Sequence, residues 1–190
     1  RVVVAVAGVP GAGKSTLVDT IRTLLAQNVV CARLLPQDGF HYSRAQLAAF
    51  PDPEDAFRRR GSPFTFDASR FVAAVQSLRS GGPVVAPLFD HRTKDPVEGD
   101  IVIESDVRMV FVEGNYVGLK EAPWDAIVPL CDEFWFVDTD PVVVRDRLVA
   151  RHVATGVAAS WDDAVARCDG LDADNAAYIC AHLQPADVYV

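Results

Sequence analysis

The sequence predicts a three-layer α/β/α fold, in which helices cover both faces of a mainly parallel, five-stranded sheet. Two observations support this prediction. Apolar, β-branched runs of strand length recur along the chain, a pattern typical of parallel strands that are buried on both faces. Segments with helical spacing of apolar residues separate these runs, as the crossover between two parallel strands requires. The predicted strands cover residues 2–7, 29–35, 107–112, 133–137 and 187–190.

Capping residues indicate where the intervening helices begin. The first helix begins near Lys14, after the first strand has ended at Gly8. Later helical patterns each follow a serine or an aspartate, the residues preferred at an N-cap. These N-cap residues are Ser43, Asp52, Asp67 or Ser69, Asp140 and Ser160. Two short strands, 84–87 and 101–104, surround a polar loop. No linker divides the chain, so we predict a single domain over residues 1–190.

The charge of the chain excludes some partners. Its formal net charge is -8, and such an acidic surface repels nucleic acids and anionic membranes, so we expect neither as a partner. Two local basic clusters, Arg58 to Arg60 and Arg145 to Arg151, indicate instead the phosphate groups of small ligands. A homodimer stays open as the oligomeric state.

The number and spacing of the cysteines indicate the redox state of the compartment in which the protein works. The four cysteines form no C-x-x-C pair and no zinc-like spacing with the histidines. Cys31, Cys131 and Cys180 lie in apolar stretches, which predicts reduced, buried thiols. Such thiols are typical of a cytoplasmic protein.

A glycine-rich motif between the first strand and the first helix predicts phosphate binding. Residues 8–15 read GVPGAGKS, which fits G-x-x-x-x-G-K-[ST] at every fixed position. The alternative is a chance match in a glycine-rich turn, but the strand before the motif and the helix after it favour a true P-loop. Its glycines let successive N–H groups surround the phosphates of ATP, with help from the helix dipole. We predict that Lys14 bridges the β- and γ-phosphates, and that Ser15 binds Mg²⁺. The predicted nucleotide-binding residues of the P-loop are Gly8, Gly11, Ala12, Gly13, Lys14, Ser15 and Thr16.

Other motifs narrow the class of P-loop NTPase. Residues 93–96 read TKDP and fall short of the guanine-binding pattern [NT]-K-x-D, because Pro96 replaces the aspartate. No D-x-x-G follows the strand at 107–112, and a motor or helicase would normally be longer. We therefore predict a small-molecule kinase that uses ATP and Mg²⁺. The alternative is a nucleotide-binding regulator or a weak NTPase without transfer activity.

Two carboxylates follow predicted strands at the sheet edge where ligands bind in open α/β folds. Asp38 follows the second strand, and a carboxylate there can accept the proton of an attacking hydroxyl. An aspartate of an ordinary Asp-Gly turn is the alternative. Glu113 ends the strand at 107–112, where it can hold Mg²⁺ or contact the acceptor, unless it is a plain strand-terminal acid.

Arginines on the helix after Pro141 predict a lid. Arg147 and Arg151 are four residues apart and share a helix face, whereas Arg145 points elsewhere. We predict that Arg147 contacts the nucleotide and that Arg151 neutralises charge in the transition state. A solvated helix face paired with Asp146 is the alternative.

In these motifs the sequence resembles the group of P-loop kinases that contains uridine kinase, phosphoribulokinase and bacterial pantothenate kinase. Within it, the sequence is most similar to fungal-type nucleoside or nucleotide kinase-like proteins. The motifs that carry the resemblance are the P-loop, DGFH at 38–41, RRGSPFTFD at 59–67, APLFDH at 86–91, EGNY at 113–116, PW at 123–124, the segment 147–152 and DADN at 172–175. The resemblance implies a kinase domain with a lid at about 145–160 and an acceptor-site insertion at about 41–66.

The resemblance also implies roles for single residues. Asp38 would be the base that activates the acceptor, and Arg151 a cation of the lid. The predicted acceptor-binding residues are His41, Arg60, Phe66, Asp90, His91, Glu113 and Tyr116. Phe66 can equally be a core residue.

The acceptor is predicted to be a nucleoside. The segment from Asp38 to Phe66 mixes aromatic, arginine and histidine side chains, which suits a pocket for a flat or sugar ring and an anion. Phe89 stands where uridine kinases carry tyrosine, and residues 39–41 read GFH instead of Ser-Phe-Tyr. These departures leave open another nucleoside, a sugar, a pantothenate-like alcohol, a glycerate-like acid or an acceptor that is already phosphorylated.

Overall fold

Five parallel strands form the central sheet of the computed structural model, which describes residues 1–190. The strands of the chain are β1 (Val2–Gly8), β2 (Ala32–Pro36), β3 (Val84–Asp90), β4 (Asp95–Ile103), β5 (Met109–Glu113), β6 (Glu133–Val137) and β7 (Val188–Tyr189). The central sheet has the order β2-β5-β1-β6-β7, and all its neighbours are parallel. Strands β3 and β4 form a separate antiparallel hairpin.

Seven α-helices connect and cover the strands. They are α1 (Lys14–Gln27), α2 (Arg44–Leu47), α3 (Pro53–Arg58), α4 (Ala68–Arg79), α5 (Pro141–Ala154), α6 (Trp161–Arg167) and α7 (Ala173–His182). The predicted caps are confirmed, because each side chain accepts a hydrogen bond from the first turn of its helix. For the fourth helix this cap is Asp67. None of the helices is long and apolar enough to span a lipid bilayer.

The apolar core has two sides, which confirms the predicted three layers. Val3, Ala5 and Ala7 of β1 point into a core that they share with α4 and α7. The alternate residues Val4 and Val6 point into a second core beneath α1. Both sets are almost fully buried, as expected for a central strand that helices cover on both faces.

The start of the second strand differs from the prediction. Helix α1 continues to Gln27, and Val29 then adopts a left-handed backbone with φ of 61° and is exposed. These residues close the turn after the helix, so the strand begins at Ala32. Cys31 therefore is exposed and not buried as predicted. Cys180 is exposed as well, and Cys131 is partly buried.

The register of the central sheet brings the predicted site segments to one edge. Gly8 at the end of β1 pairs with Val137, and Glu113 at the end of β5 pairs with Pro36. The single turn of 3₁₀ helix at Gln37–Phe40 follows directly and carries Asp38. The P-loop, Asp38 and Glu113 thus lie together at the carboxyl ends of parallel strands, where open α/β sheets bind ligands.

The turn that carries Asp38 packs tightly against β3. We therefore expect a larger side chain in this turn to destabilise the protein. A Cβ atom on Gly39 would lie 1.9 Å from the carbonyl oxygen of Pro87 and 2.7 Å from its carbonyl carbon. Because both atoms are backbone, one of the two segments must move. We expect Gly39→Ala to lower the free energy of unfolding by about 2–3 kcal/mol, the typical cost of overpacking. Urea unfolding measures this change.

Gly82→Ala is the matched control for that substitution. A Cβ atom on Gly82 would meet its nearest neighbour, the Ser77 carbonyl oxygen, at 3.8 Å, an ordinary contact. We expect a change of less than about 1 kcal/mol in this variant. Equal urea midpoints for Gly39→Ala and the unchanged protein would show that the turn is not held against β3.

Candidate active site

The P-loop joins β1 to α1 and requires glycine at two positions. Gly11 and Gly13 have φ of 83° and 97°, a left-handed backbone that favours glycine. A Cβ atom on Gly11 would also lie 2.7 Å from Leu148 Cγ of α5. The loop therefore packs closely against α5 through a residue without a side chain.

Lys14 is buried at the base of this loop. Its ammonium nitrogen donates hydrogen bonds to the carbonyl oxygens of Gly8 at 2.9 Å and Val9 at 3.1 Å, and to Asn115 Oδ1 at 2.6 Å. Burial lowers the pKa of Lys14, and the carboxylates of Glu113 and Asp38 act in the opposite direction. Lys14 is thus fixed next to both predicted carboxylates.

Asn115 is a site residue that was not predicted from the sequence. It lies two residues beyond Glu113, just after β5, and its position at the carboxyl end of a central strand is the signal that could have identified it. Its oxygen orients the ammonium group of Lys14.

Ser15 and Glu113 place two oxygen ligands side by side. The Ser15 hydroxyl donates a hydrogen bond of 3.2 Å to Glu113 Oε2. Burial raises the pKa of Glu113, although the nearby Lys14 ammonium lowers it. A hydroxyl and a carboxylate are ligands that Mg²⁺ accepts, so the pair fits such an ion beside the P-loop.

A cavity of about 680 Å³ lies over the P-loop. We call it the P-loop cavity; its wall consists of residues 11–17 and Thr20 together with Val137, Thr139, Arg147, Arg151 and Val190. Seven of the predicted nucleotide-binding residues line it, namely Gly11, Ala12, Gly13, Lys14, Ser15, Thr16 and Arg147. Gly8 lies beneath the loop, where its carbonyl oxygen holds Lys14.

A second cavity, of about 630 Å³, adjoins the first. We call it the basic cavity, after the side chains of Arg44, Arg60, Lys94, Arg151 and Arg167 in its wall. It also contains three further predicted site residues, Asp38, His41 and His91. Ser15 and Arg151 line both cavities, so these two residues mark the junction between them.

His41 forms part of the floor of the basic cavity. Its ring lies between Phe66, at a centroid distance of 3.9 Å, and Phe89, at 4.8 Å. His41 Nδ1 lies 2.8 Å from the carbonyl oxygen of Asp38, and since a carbonyl only accepts, we assign the proton to Nδ1. Burial lowers the pKa of His41, which favours this neutral form and leaves Nε2 as an acceptor.

Arg60 is held in place by the hairpin. It donates hydrogen bonds to the carbonyl oxygens of Lys94 at 2.5 Å and Tyr42 at 2.9 Å, and it pairs with Asp95 at 3.4 Å. Its guanidinium carbon lies 5.4 Å from the centre of the Phe89 ring. Arg60 therefore fastens the insertion at 41–66 to the β3–β4 hairpin.

Four predicted acceptor residues, Phe66, Asp90, Glu113 and Tyr116, do not line either cavity. Glu113 lies beside Ser15, as described above, and the other three have structural roles. Phe66 is almost fully buried behind His41, and Tyr116 is fully buried with its hydroxyl donating to the Gly61 carbonyl oxygen at 2.6 Å. The Asp90 carboxylate accepts hydrogen bonds from Arg92 N at 2.8 Å and Thr93 Oγ1 at 3.0 Å, which close the hairpin turn and lower the pKa of Asp90. These three side chains support the insertion and the hairpin, so we do not assign them to the acceptor.

The arginines of α5 separate as predicted. Arg145 pairs with Asp169 at 2.6 Å and lines neither the P-loop cavity nor the basic cavity. Arg147 lines only the P-loop cavity, whereas Arg151 lines both. The next residue, His152, forms a buried hydrogen bond of 2.6 Å with Asp172, which fixes this part of the helix to the segment before α7.

Comparisons with known proteins place the chain among kinases. The model of the phosphoribulokinase / uridine kinase family matches residues 3–190. An ATP-dependent kinase-like protein of Aspergillus versicolor is 44% identical over 146 residues, 73% of this chain and 85% of the relative. A candidate uridine kinase of Schizosaccharomyces pombe is 34% identical over 192 residues, 99% of this chain and 82% of the relative.

A solved structure agrees with the sequence relatives. The crystal structure of a candidate fructose transport system kinase from Silicibacter superimposes with a TM-score of 0.90 and is 32% identical, covering 100% of this chain and 89% of the other. The superposition shows that the two proteins share the three-layer fold that the sequence predicts. The chain belongs to the phosphoribulokinase / uridine kinase family of P-loop kinases, and it is a small-molecule kinase whose acceptor group is a hydroxyl.

Proposed function

We propose that the protein transfers the γ-phosphoryl group of ATP, in the presence of Mg²⁺, to a hydroxyl of a small metabolite in the basic cavity. The observation that supports this function is the junction of the two cavities. Ser15 and Arg151 line both cavities, and Asp38 lies in the wall of the basic cavity. A hydroxyl beside Asp38 would therefore adjoin the end of a triphosphate that extends along the P-loop.

The proposed reaction assigns one role to each residue at the junction. Asp38 accepts the proton as the acceptor oxygen bonds to the γ-phosphorus, and the bond to the bridging oxygen of ADP breaks. Lys14 and the P-loop N–H groups hold the β- and γ-phosphates, while Arg151 neutralises the charge that develops on the transferred group. Ser15 and Glu113 would hold Mg²⁺, which would supply further positive charge at the phosphates.

The aromatic side chains support an acceptor that contains a nucleoside moiety, either free or phosphorylated. The rings of His41, Phe57 and Phe89 contribute to the wall of the basic cavity, and a flat base stacks favourably on such rings. Departures at residues 39–41 and Phe89 from the uridine kinase pattern argue against uridine itself.

Release of ADP in the presence of Mg-ATP tests the proposed function. The purified protein is assayed with nucleosides, sugars, pantothenate, glycerate and their phosphorylated counterparts. We expect at least one acceptor to raise ADP release well above the rate without acceptor, with one phosphorylated product per ADP. ATP binding without stimulation by any acceptor would instead support a nucleotide-binding regulator.

The assignment of Ser15 and Glu113 as metal ligands predicts how their substitution changes the Mg²⁺ requirement. We expect Ser15→Ala and Glu113→Gln each to raise the Mg²⁺ concentration needed for half-maximal ADP release by about 10- to 100-fold, because each removes one oxygen ligand. Glu104→Gln, at an exposed carboxyl just after β4, is the matched control and should leave this concentration unchanged.

The pH dependence of the Mg²⁺ requirement adds a second readout. Because burial raises the pKa of Glu113, its proton is retained to a higher pH than in an exposed glutamate. A protonated carboxyl binds cations poorly, so the Mg²⁺ requirement should rise as the pH falls toward that raised pKa. Glu113→Gln should weaken this dependence. An unchanged pH profile in the variant would remove Glu113 from the metal site.

A further inference from the structure

The charge in the basic cavity is opposite to the charge of the whole chain. The protein carries a formal net charge of -8. The wall of this cavity nevertheless contains five arginine and lysine side chains, and Asp38 is its one carboxylate. Such a concentration of like charge in a concave site favours the binding of an anion.

Two of these cations already have a role. Arg60 pairs with Asp95 and holds the hairpin through two carbonyl oxygens. Arg151 also lines the P-loop cavity, and the proposed function assigns it to the transferred phosphoryl group. The other three cations, Arg44, Lys94 and Arg167, form no ion pair with a carboxylate.

The unpaired cations lie outside the P-loop cavity, in which the proposed function places the phosphates of ATP. Arg44, Lys94 and Arg167 do not line the P-loop cavity, which has Lys14 and Arg147 of its own. The triphosphate therefore does not account for their charge. A second anion, bound in the basic cavity, would account for the charge of these three residues.

Arg44 and Lys94 belong to one wall of the cavity. The backbone N–H of Arg44 donates to Asp95 Oδ1 at 2.7 Å, and Asp95 follows Lys94 at the start of β4. The carbonyl oxygen of Lys94 is in turn held by Arg60. The backbones of both residues are thus tied to the same small network, while their charged ends stay without a counter-ion. The guanidinium carbon of Arg44 lies 5.6 Å from the centre of the Phe57 ring, a cation–π contact that helps to hold this side chain in place.

We propose that the acceptor carries an anionic group, a phosphate or a carboxylate, in addition to the hydroxyl that is phosphorylated, and that Arg44 and Lys94 bind this group. The inference rests on the proposed function, because it concerns the acceptor of the same reaction. It narrows the acceptors to nucleotides, sugar phosphates and hydroxy acids. A neutral nucleoside or sugar would leave these cations without a partner.

Matched pairs of acceptors test the proposal. Each set contains a neutral alcohol and its anionic counterparts: a nucleoside and its 5′-monophosphate, ribose and ribose 5-phosphate, and glycerol with glycerate and glycerol 3-phosphate. We expect kcat/KM for the anionic member to exceed that for the neutral member by about 10- to 100-fold, as charged hydrogen bonds allow. Preference for the carboxylate or for the phosphate among the glycerol derivatives identifies the anion. Added salt should lower this preference, because it screens the charges.

Two substitutions test whether Arg44 and Lys94 cause the preference for anionic acceptors. Arg44→Gln and Lys94→Asn each remove one charge. Asparagine suits position 94, because Lys94 has φ of 60° and asparagine tolerates the left-handed backbone. We expect each variant to raise KM for the anionic acceptor by about tenfold and to leave KM for ATP and the use of the neutral acceptor nearly unchanged.

Neighbouring arginines provide the controls. Arg59 pairs with Asp55 and lies over the Phe64 ring, and the exposed Arg92 pairs with Asp90, so neither lines the basic cavity. Arg59→Gln and Arg92→Asn should leave every KM unchanged. If neutral and anionic members were phosphorylated equally well, or if the two test variants behaved like the controls, the proposal would be overturned while the kinase function stood. If no member of any pair were phosphorylated, the proposed function itself would fail.

Discussion

Replacing Asp38 with asparagine is expected to lower kcat by about 10²- to 10⁴-fold, the range that general base catalysis contributes. Asp38 is the one carboxylate in the wall of the basic cavity, and it lies on the turn directly after β2. Asparagine keeps the size of the side chain and its hydrogen-bonding oxygen but cannot take up the proton. ATP binding should therefore change little, and isothermal titration with Mg-ATP measures this beside the turnover number.

Asp90→Asn is the matched control for Asp38→Asn. The two residues are both aspartates that the family resemblance assigned to the acceptor site. In the structure the Asp90 carboxylate accepts hydrogen bonds within the hairpin turn from Arg92 N at Oδ1 and from Thr93 Oγ1 at Oδ2. Asparagine can still accept the first through its oxygen, and its amide nitrogen can donate to the Thr93 hydroxyl in place of the second. We expect turnover of this variant to stay within about threefold of the unchanged protein. Comparable losses in both variants would mean that the hairpin, rather than a base at Asp38, controls the reaction.

The parts of the site that the sequence predicts share one physical origin. Val2 to Gly8 form an unbroken apolar strand, and a P-loop after such a strand has one arrangement at the sheet edge. Asp38 and Glu113 were predicted from the same rule, because both follow buried strands of a parallel sheet. The position of a residue relative to the strands can be predicted from the sequence, because the length and apolar pattern of a strand determine which residue lies at the carboxyl edge of the sheet.

The parts that the sequence does not predict lie in the irregular segments. Phe66, Asp90 and Tyr116 were assigned to the acceptor by resemblance, yet their side chains pack or close turns. These segments lack a regular apolar pattern, so the direction of each side chain cannot be predicted from the sequence. Arg44 and Lys94 are 50 positions apart and meet only through Asp95 and the hairpin. Contacts of that kind depend on tertiary packing, which a linear pattern does not contain.

Arg147 and Arg151 of α5 are expected to differ in the kinetic parameter that they control. Arg151→Gln should lower kcat by about 10³-fold or more, the magnitude of an arginine that stabilises the transition state of phosphoryl transfer. Its side chain lines both cavities, and the buried hydrogen bond of the neighbouring His152 to Asp172 fixes this turn of α5. Arg151→Lys should restore part of the loss, because it returns the charge without the planar guanidinium.

Arg147 provides the comparison, because it lies one helical turn earlier on the same face. Its Nη1 atom lies 3.5 Å from the position that a Cβ atom on Gly13 would occupy, and it lines only the P-loop cavity. Arg147→Gln should therefore raise KM for ATP with a small effect on kcat, since it removes a contact that is equal in the ground and transition states. Steady-state kinetics of both variants over a range of ATP concentrations separate the two effects. If Arg151→Gln also changed only KM for ATP, Arg151 would be a nucleotide ligand, and the charge on the transferred group would have to be met by Lys14 and Mg²⁺ alone.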